Sequence, residues 1–407
     1  MLKQLILENW KSFRYAVLPL DPLTVLIGTN ASGKSNVVEA LEFLQRIVKG
    51  REIEDVLAGY SILPSIQGGV DWVALKPETN FTLKALVQGN DENTDYLYSI
   101  TVKTKPIVQV LEETIITQIY QEKNHESSTQ DSIVSDLSTS AKYPHSKINI
   151  SNIKGMQRES MLNMISKFEI ANKDFEDINL ITDVFENVFV LNPIAFKMRD
   201  YSPLSDNLES NASNIAGVLA ALDDEQKTEV ESTLSAYIKD FTERDIRKVF
   251  AEPVGRLRTD AILYCEEEWK PGEITLIDAK TMSDGTLRFI AILTALLTRP
   301  EGSQIVIEEI DNGLHPSRAE LLVRILREIG SKRKIDILLT THNPALLDAL
   351  GPEIVPFVVV AHRDKETGES KLTLLEDIEN LPLLLASGTL GRLATKGAIE
   401  KSLSDNK

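Results

Sequence analysis

The chain opens with apolar and polar residues alternating over LKQLILENW, residues 2–10, the two-residue period of a half-buried strand. A second apolar run, LTVLIGTN, stops at a glycine and small polar residues, and a helix is predicted at once over SNVVEALEFLQRIV. There Val37, Val38, Leu41, Leu44 and Ile47 recur at helical spacing. Between 70 and 119 the runs VDWVALK, NFTLKALVQ, DYLYSITVK and VQVLEETIITQI predict the short strands of a meander. Residues 121–150 are rich in Ser, Thr and Asn and poor in large apolar side chains, which predicts a mobile, exposed loop. From 156 to 250 the pattern is mostly helical, broken by VFVLNPIAF. Strands then return as LRTDAILYCEEE, EITLIDAK, SQIVIEE and DILLTTH, with helices between them. Such alternation predicts a parallel, doubly wound sheet. The expected organisation is an α/β core whose N-terminal half, with a β subdomain, spans 1–105. Its C-terminal half spans 256–407, and a largely helical insertion occupies 106–255. No heptad or longer internal repeat is visible.

Composition narrows the class. Of 407 residues, 42% are hydrophobic and 26% charged, with no tract apolar enough to span a bilayer. Residues 1–8 are too short and too alternating for a secretory signal, so a cytoplasmic protein without a membrane partner is expected. Cys265 is the single cysteine, which excludes an intrachain disulfide, and it reads as a half-buried strand residue. The net charge of −17 argues against broad, unaided nucleic-acid binding, because phosphate neutralisation by cations supplies most of that affinity. Two basic clusters remain, Arg324, Arg327, Lys332, Arg333 and Lys334, and Arg244, Arg247 and Lys248. Solvated faces or helix-end charges account for such runs, with local nucleic-acid contact as the alternative.

Four motifs carry chemistry. Gly28-Thr29-Asn30-Ala31-Ser32-Gly33-Lys34-Ser35 fits G-x-x-x-x-G-K-[ST] in full, between a predicted strand and a predicted helix. Glycines let such a loop wrap a phosphate, and backbone N–H groups with the helix N-terminus form an anion nest. ATP is the expected ligand, held by Gly28, Asn30, Ala31, Ser32, Gly33, Lys34, Ser35 and Asn36. Lys34 would bridge the β- and γ-phosphates, and the Ser35 hydroxyl would ligate Mg²⁺. In Ile305-Val306-Ile307-Glu308-Glu309 an apolar strand ends in two acids, an expensive placement unless they meet a cation or a proton. Glu308 is expected in the magnesium shell, acting through a bound water, and Glu309 is expected to orient or deprotonate the attacking water. Asp336-Ile-Leu-Leu-Thr-Thr-His342 is again an apolar strand with a polar end, and His342 could report the γ-phosphate; His125, His145 and His362 read as surface residues. Lastly, Ser283 and Gly285 in KTMSDGT open a predicted helix and make a second anion site. One fold does not need two sites for one γ-phosphate, but a two-fold dimer does, if each subunit caps its partner's nucleotide.

These motifs in this order resemble the ABC-type ATPases related to RecF and SMC heads. More narrowly they resemble the bacterial "AAA family ATPase" group similar to OLD-family and phage-defence (Septu- or PARIS-like) ATPase subunits. The resemblance covers about 1–105 and 185–365 and includes Asn192-Pro193 and Met198-Arg199. It implies an ABC-type P-loop ATPase head with an antiparallel β subdomain and a largely helical insertion. It further implies that Ser283 and Gly285 act in trans, that Asn312 to His315 form a dimer-contacting loop, and that Trp10 to Arg14 lie near the adenine, with Arg14 a nucleotide contact. Departures are informative. Thr286-Leu287 replaces the glycine and glutamine that continue a transporter's signature, which argues against transporter coupling. Glu308 stands where many such strands carry aspartate, and Gln67 is the one candidate for the Q-loop glutamine. About 60 residues follow Thr-Thr-His-Asn-Pro, too few for the Toprim nuclease domain of OLD-family proteins. The resemblance thus implies an ATP-hydrolysing subunit that dimerises around two ATP and gates a separate nuclease effector in anti-phage defence. A nucleotide-gated scaffold with little turnover and a RecF-like DNA-repair ATPase are the alternatives.

Overall fold

The computed structural model describes residues 1–60, 64–120, 147–149, 158–160, 162, 176–241, 245–313 and 315–405. The chain divides into two compact units. One comprises Met1–Leu20, Ser35–Val188 and Arg363–Leu372; the other comprises Asp21–Lys34, Phe189–His362 and Thr373–Lys407.

The first unit is built on an antiparallel sheet. Its strands are β1 (Leu2–Trp10), β2 (Phe13–Pro19), β4 (Asn80–Gln88), β5 (Thr94–Lys103), β6 (Gln109–Ile119) and β7 (Lys147–Asn149), in the order β2-β1-β4-β5-β6-β7. Strict alternation along β4 buries Phe81, Leu83, Ala85 and Val87 on one face, as expected of a sheet with one face in the core. The helix Lys34–Ile47 adds Phe43, which meets Trp10 at 5.8 Å and Phe81 at 5.6 Å between ring centroids. The run VDWVALK does not continue the meander. Gly68 and Gly69 take positive φ of 87° and 55° and turn the chain into a short helix, Gly69–Trp72, whose Trp72 is exposed. The loop expected at 121–150 lies outside the described residues apart from 147–149, and His125 and His145 fall within it.

The second unit holds a sheet in which β15 (Val358–Arg363), β3 (Leu23–Ile27), β14 (Asp336–Thr340) and β13 (Gln304–Ile307) run side by side and parallel, with β8 (Val188–Leu191) beyond β13. All residues of β13 and β14 are buried, which explains why their sequences are continuous apolar runs and not alternating ones. A second, antiparallel sheet joins β10 (Asp245–Val254), β11 (Asp260–Lys270) and β12 (Glu273–Asp278), with β9 (Ser202–Pro203) paired to β11. Cys265 on β11 is fully buried, not half-buried, because its side chain faces the core beneath this sheet. The helix Asp224–Phe241 presents Val230, Leu234, Ile238 and Phe241 to the core, where Phe241 stacks on Phe289 at 3.7 Å. Residues 106–255 therefore supply strands (β6, β7, β8, β9 and β10) as well as helices, and β10 occupies the end of the stretch expected to be helical.

Candidate functional site

Three parallel strands bring three of the four motifs to one edge. β3, β14 and β13 are neighbours, and the phosphate-loop sequence, Thr341-His342 and Glu308-Glu309 each follow the C-terminal end of one of them. That edge is where ligands bind in open parallel sheets. Backbone and hydroxyl bonds tie the ends together: Thr341 N–H donates to the Leu26 carbonyl (3.3 Å), and Thr341 Oγ1 donates to the buried Asp311 carboxylate (2.5 Å).

The loop from Gly28 to Lys34 has the build of an anion cradle. Gly28 has φ +145°, and a Cβ there would collide with the Ala361 carbonyl oxygen of β15, so glycine is required. Ala31 and Gly33 also take positive φ, 61° and 111°, while Thr29, Asn30 and Ala31 are exposed. Ser32 is 1% exposed and its Oγ has no hydrogen-bond partner, an orphaned polar atom that a bound anion would satisfy. The Lys34 ammonium folds back on the loop, donating to the carbonyls of Gly28 (2.7 Å) and Thr29 (3.0 Å). Burial lowers its pKa, and the negative charges of Glu309 and Glu400 oppose that shift. These features fit the phosphates of a nucleotide. Ser35 and Asn36 continue the helix in the first unit, where the Asn36 amide donates to Ser12 Oγ (2.7 Å) and its carbonyl accepts from Trp10 Nε1 (2.7 Å).

Glu309 is held in an uncommon conformation. Its φ is +45°, a left-handed geometry that costs a β-carbon residue about 1 kcal/mol. Three bonds maintain it: Glu309 N–H donates to Thr340 Oγ1 (2.8 Å), Asn312 N–H to the Glu309 carbonyl (2.8 Å), and Asn312 Nδ2 to Glu309 Oε2 (3.2 Å). Glu308 is half-buried and accepts from Asn192 Nδ2 at 3.5 Å. His342 is exposed at the end of β14. Motif reading gives no role to Thr340, Thr341 or Asp311, and it expects Asn312 in a dimer-contacting loop and not as a partner of Glu309; the available signal was the pair of threonines ahead of His342. Among the described residues no group of three His, Cys, Asp or Glu side chains could hold a metal. Mg²⁺ takes one or two carboxylates and completes its shell with phosphate oxygens and water, so Glu308 still suits it.

The fourth motif stands apart. Ser283 is the N-cap of the helix Asp284–Thr298, and its Oγ accepts from Thr286 N–H (3.1 Å). Arg199 braces the preceding turn by donating to the carbonyls of Ala279 (3.0 Å), Lys280 (3.0 Å) and Met282 (2.7 Å), and it pairs with Asp284. Ser283, Gly285 and Thr286 line a cleft of about 340 Å³ together with Gly313, His315 and Arg318, and no residue of the phosphate loop lines it.

Other expectations resolve locally. Trp10 is fully buried between Phe43 and Phe81. Arg14 is tied up by carboxylates: Nη1 donates to Glu78 (2.8 Å) and Nε to Glu369 (3.2 Å), which raises its pKa. Gln67 is anchored through its backbone, with N–H donating to Glu39 (2.8 Å) and its carbonyl accepting from Lys11 (2.9 Å). His362 is not a surface residue; it is half-buried, with Nε2 3.0 Å from Thr373 Oγ1. The basic clusters meet acids from distant segments, Arg324 with Asp240, Arg327 with Glu353 and Arg247 with Glu268. Among the described residues no helix is long and apolar enough to cross a membrane.

The fold is similar to that of a solved SMC head. The SMC head bound to the C-winged helix domain of ScpA matches with a TM-score of 0.53 at 13% identity, over 91% of this chain and 97% of that one. An SMC head from Thermotoga maritima (0.44, 15% identity, 92% and 98% covered) is also similar. So is an Smc head with an extended coiled coil bound to the C-terminal domain of ScpA derived from Pyrococcus furiosus (0.49, 12% identity, 95% and 99% covered). Residues 23–348 match the family described as "AAA domain, putative AbiEii toxin, Type IV TA system", and the chain belongs to that family. No curated protein matches the chain.

Proposed function

We propose that the chain binds ATP at the phosphate loop, hydrolyses it as a two-fold dimer, and gates a partner effector in bacterial anti-phage defence. The observation that carries this reading is the division of the anion-binding parts. Lys34, Glu309 and His342 gather at the end of the parallel sheet, while Ser283 and Gly285 open onto a cleft that the phosphate loop does not line. A second copy brings its Ser283 to the first copy's nucleotide and completes the site. In the reaction, Lys34 would exchange the Gly28 and Thr29 carbonyls for phosphate oxygens. Glu309 would accept a proton from the attacking water, and His342 would contact the γ-phosphate. Mg²⁺, when bound, would neutralise developing phosphate charge, with Glu308 as its proposed carboxylate. The family's description speaks of a toxin in a toxin–antitoxin system, which supports action alongside a second component. A change between open and closed dimers would reach a partner as a difference in its affinity for the two states.

The test is direct. With ATP and Mg²⁺ the wild-type chain should hydrolyse ATP above the Lys34→Ala background and shift to a dimer on sizing chromatography. A chain that does neither is not this enzyme. Purification of the tagged chain from its native host in ATP and in ADP should yield one companion polypeptide whose yield differs between nucleotides. Equal yields, or none, end the gating model.

A further inference from the structure

The turn that leads into Ser283 is held by a residue some eighty positions earlier in the chain. Arg199 ends the short helix Ala195–Arg199, whose Ala195 and Met198 are buried in the same core as Leu287 of the helix capped by Ser283. One guanidinium nitrogen, Nη1, donates to three carbonyls of the turn, those of Ala279 (3.0 Å), Lys280 (3.0 Å) and Met282 (2.7 Å). The other, Nη2, bonds Asp284, the residue after Ser283. The N–H groups of Lys280 and Thr281 are fastened to Asp278, at 3.0 and 3.1 Å, so the Ala279–Lys280 and Lys280–Thr281 peptides are clamped at both ends. The next held carbonyl, that of Met282, shares a peptide with the N–H of Ser283. In a planar trans peptide these two groups point in opposite directions. Gripping the Met282 oxygen therefore directs the Ser283 N–H away from the arginine. Met282, Ser283 and Gly285 line the cleft, and Arg199 does not.

Resting on the composite site proposed above, we infer that Arg199 is the positioning residue of its accessory half: it sets Ser283 for the nucleotide held by the other copy and touches neither nucleotide itself. Two physical effects carry this role. The first is geometric, because three carbonyls on one cation leave the approach to Ser283 little freedom to turn. The second is electrostatic. Asp284 sits in the first turn of the helix with its side chain 69% exposed, where a free carboxylate would repel an incoming polyphosphate. Pairing with Arg199 neutralises that acid and holds it toward the turn. Arginine suits both tasks, since its flat guanidinium stays charged and carries several donors in a fixed fork, whereas lysine offers a single nitrogen. Because no residue of the phosphate loop lines the cleft, the effect of Arg199 belongs to the partner's reaction and not to its own chain's.

The test asks which chain needs the arginine. A heterodimer purified through two different tags, one chain Lys34→Ala and the other Ser283→Arg, has one working site. That site takes its phosphate loop from the Ser283→Arg chain and its Ser283 from the Lys34→Ala chain. Arg199→Ala added to the Lys34→Ala chain should lower ATP turnover about ten- to a hundred-fold, the cost of misplacing a group by about 1 Å. Added instead to the Ser283→Arg chain, it should leave turnover within about two-fold. Equal losses in the two placements, or a loss only in the second, overturn the inference, because Arg199 would then serve the fold or its own chain's phosphate loop. Should Arg199→Ala fail to fold, Arg199→Lys carries the same test, with a loss of about three-fold expected in the first placement alone. In the chain with no other substitution, Arg199→Ala should keep its ATP affinity by calorimetry within about two-fold while kcat falls. Weakened affinity with unchanged kcat overturns the inference. Turnover that is recovered in the parental heterodimer but indifferent to Arg199 ends this inference alone. A parental heterodimer without turnover removes the composite site and the inference together.

Discussion

Two loops in the second unit lead from a glycine- and serine-bearing turn into a helix, and they are equipped differently. The loop Gly28–Lys34 enters a helix with no acid in its first turn, leaves Ser32 Oγ buried without a partner, and turns a cation inward. The loop at Ser283 enters a helix that is already capped by its own Ser283 Oγ, and it carries Asp284 in the first turn, paired with Arg199. A helix N-terminus attracts anions through its dipole and its unsatisfied N–H groups, and a cap or an acid uses up part of that attraction. The first loop is therefore equipped to hold a polyphosphate by itself. The second is equipped to add a hydroxyl and a partial positive charge to a phosphate that something else already holds. On the proposed function, a serine and a glycine at a helix start would serve as a primary site in one place and as an accessory surface in the other.

The largest expected effect tests the primary site. Lys34→Ala should abolish measurable ATP binding by calorimetry, because the loop loses its only lysine contact to the phosphates. Normal affinity in the folded variant would remove the distinction between the loops. Next, Glu309→Gln should retain ATP binding, lose about 10²- to 10⁴-fold in hydrolysis rate, and accumulate as a dimer on sizing chromatography with ATP and Mg²⁺. Persistent turnover without added dimer would show that Glu309 is not the base, despite its left-handed backbone. The accessory role of the second loop is sharpened by mixing two inactive chains, Ser283→Arg and Lys34→Ala. A verified heterodimer should recover up to roughly half the wild-type activity, since it contains one intact composite site. No recovery would mean that each chain completes its own site. The smallest effect concerns the cap itself: Ser283→Ala should lower unfolding free energy by about 1 kcal/mol without nucleotide, read as a Tm drop of a few degrees. An unchanged Tm would mean that Ser283 is not stabilising its helix and is free for a ligand.

Much of this arrangement is local in the sequence, and that part was legible. The apolar run of β3, the glycines, Lys34 and the helical spacing of Val37, Val38, Leu41, Leu44 and Ile47 all lie within about thirty residues, so periodicity and motif identify strand, loop and helix together. β13 and β14 were legible for the same reason, as short apolar runs ending in polar residues. What periodicity misjudged was decided by single backbone conformations or by distant partners. Gly68 and Gly69 convert an apparent strand into a helical turn, and β10 is a strand because β11 lies beside it, although its charged residues give it no clear alternation. The basic clusters read as solvated faces or helix-end charges, and what periodicity could not supply is their partners, Asp240, Glu353 and Glu268, each 21 or more residues away.

By itself, then, the amino-acid order determined which residues could bind a polyphosphate, because that chemistry is carried by a contiguous loop whose function depends on φ freedom and one lysine. Tertiary structure alone decided the rest. It placed three strand ends on one edge and bent Glu309 into a left-handed turn against Thr340. The physical reason is range. Backbone propensity and motif spacing act over a few residues along the chain, whereas charge, burial and hydrogen-bond partnership act through space and exist only once the sheet has assembled.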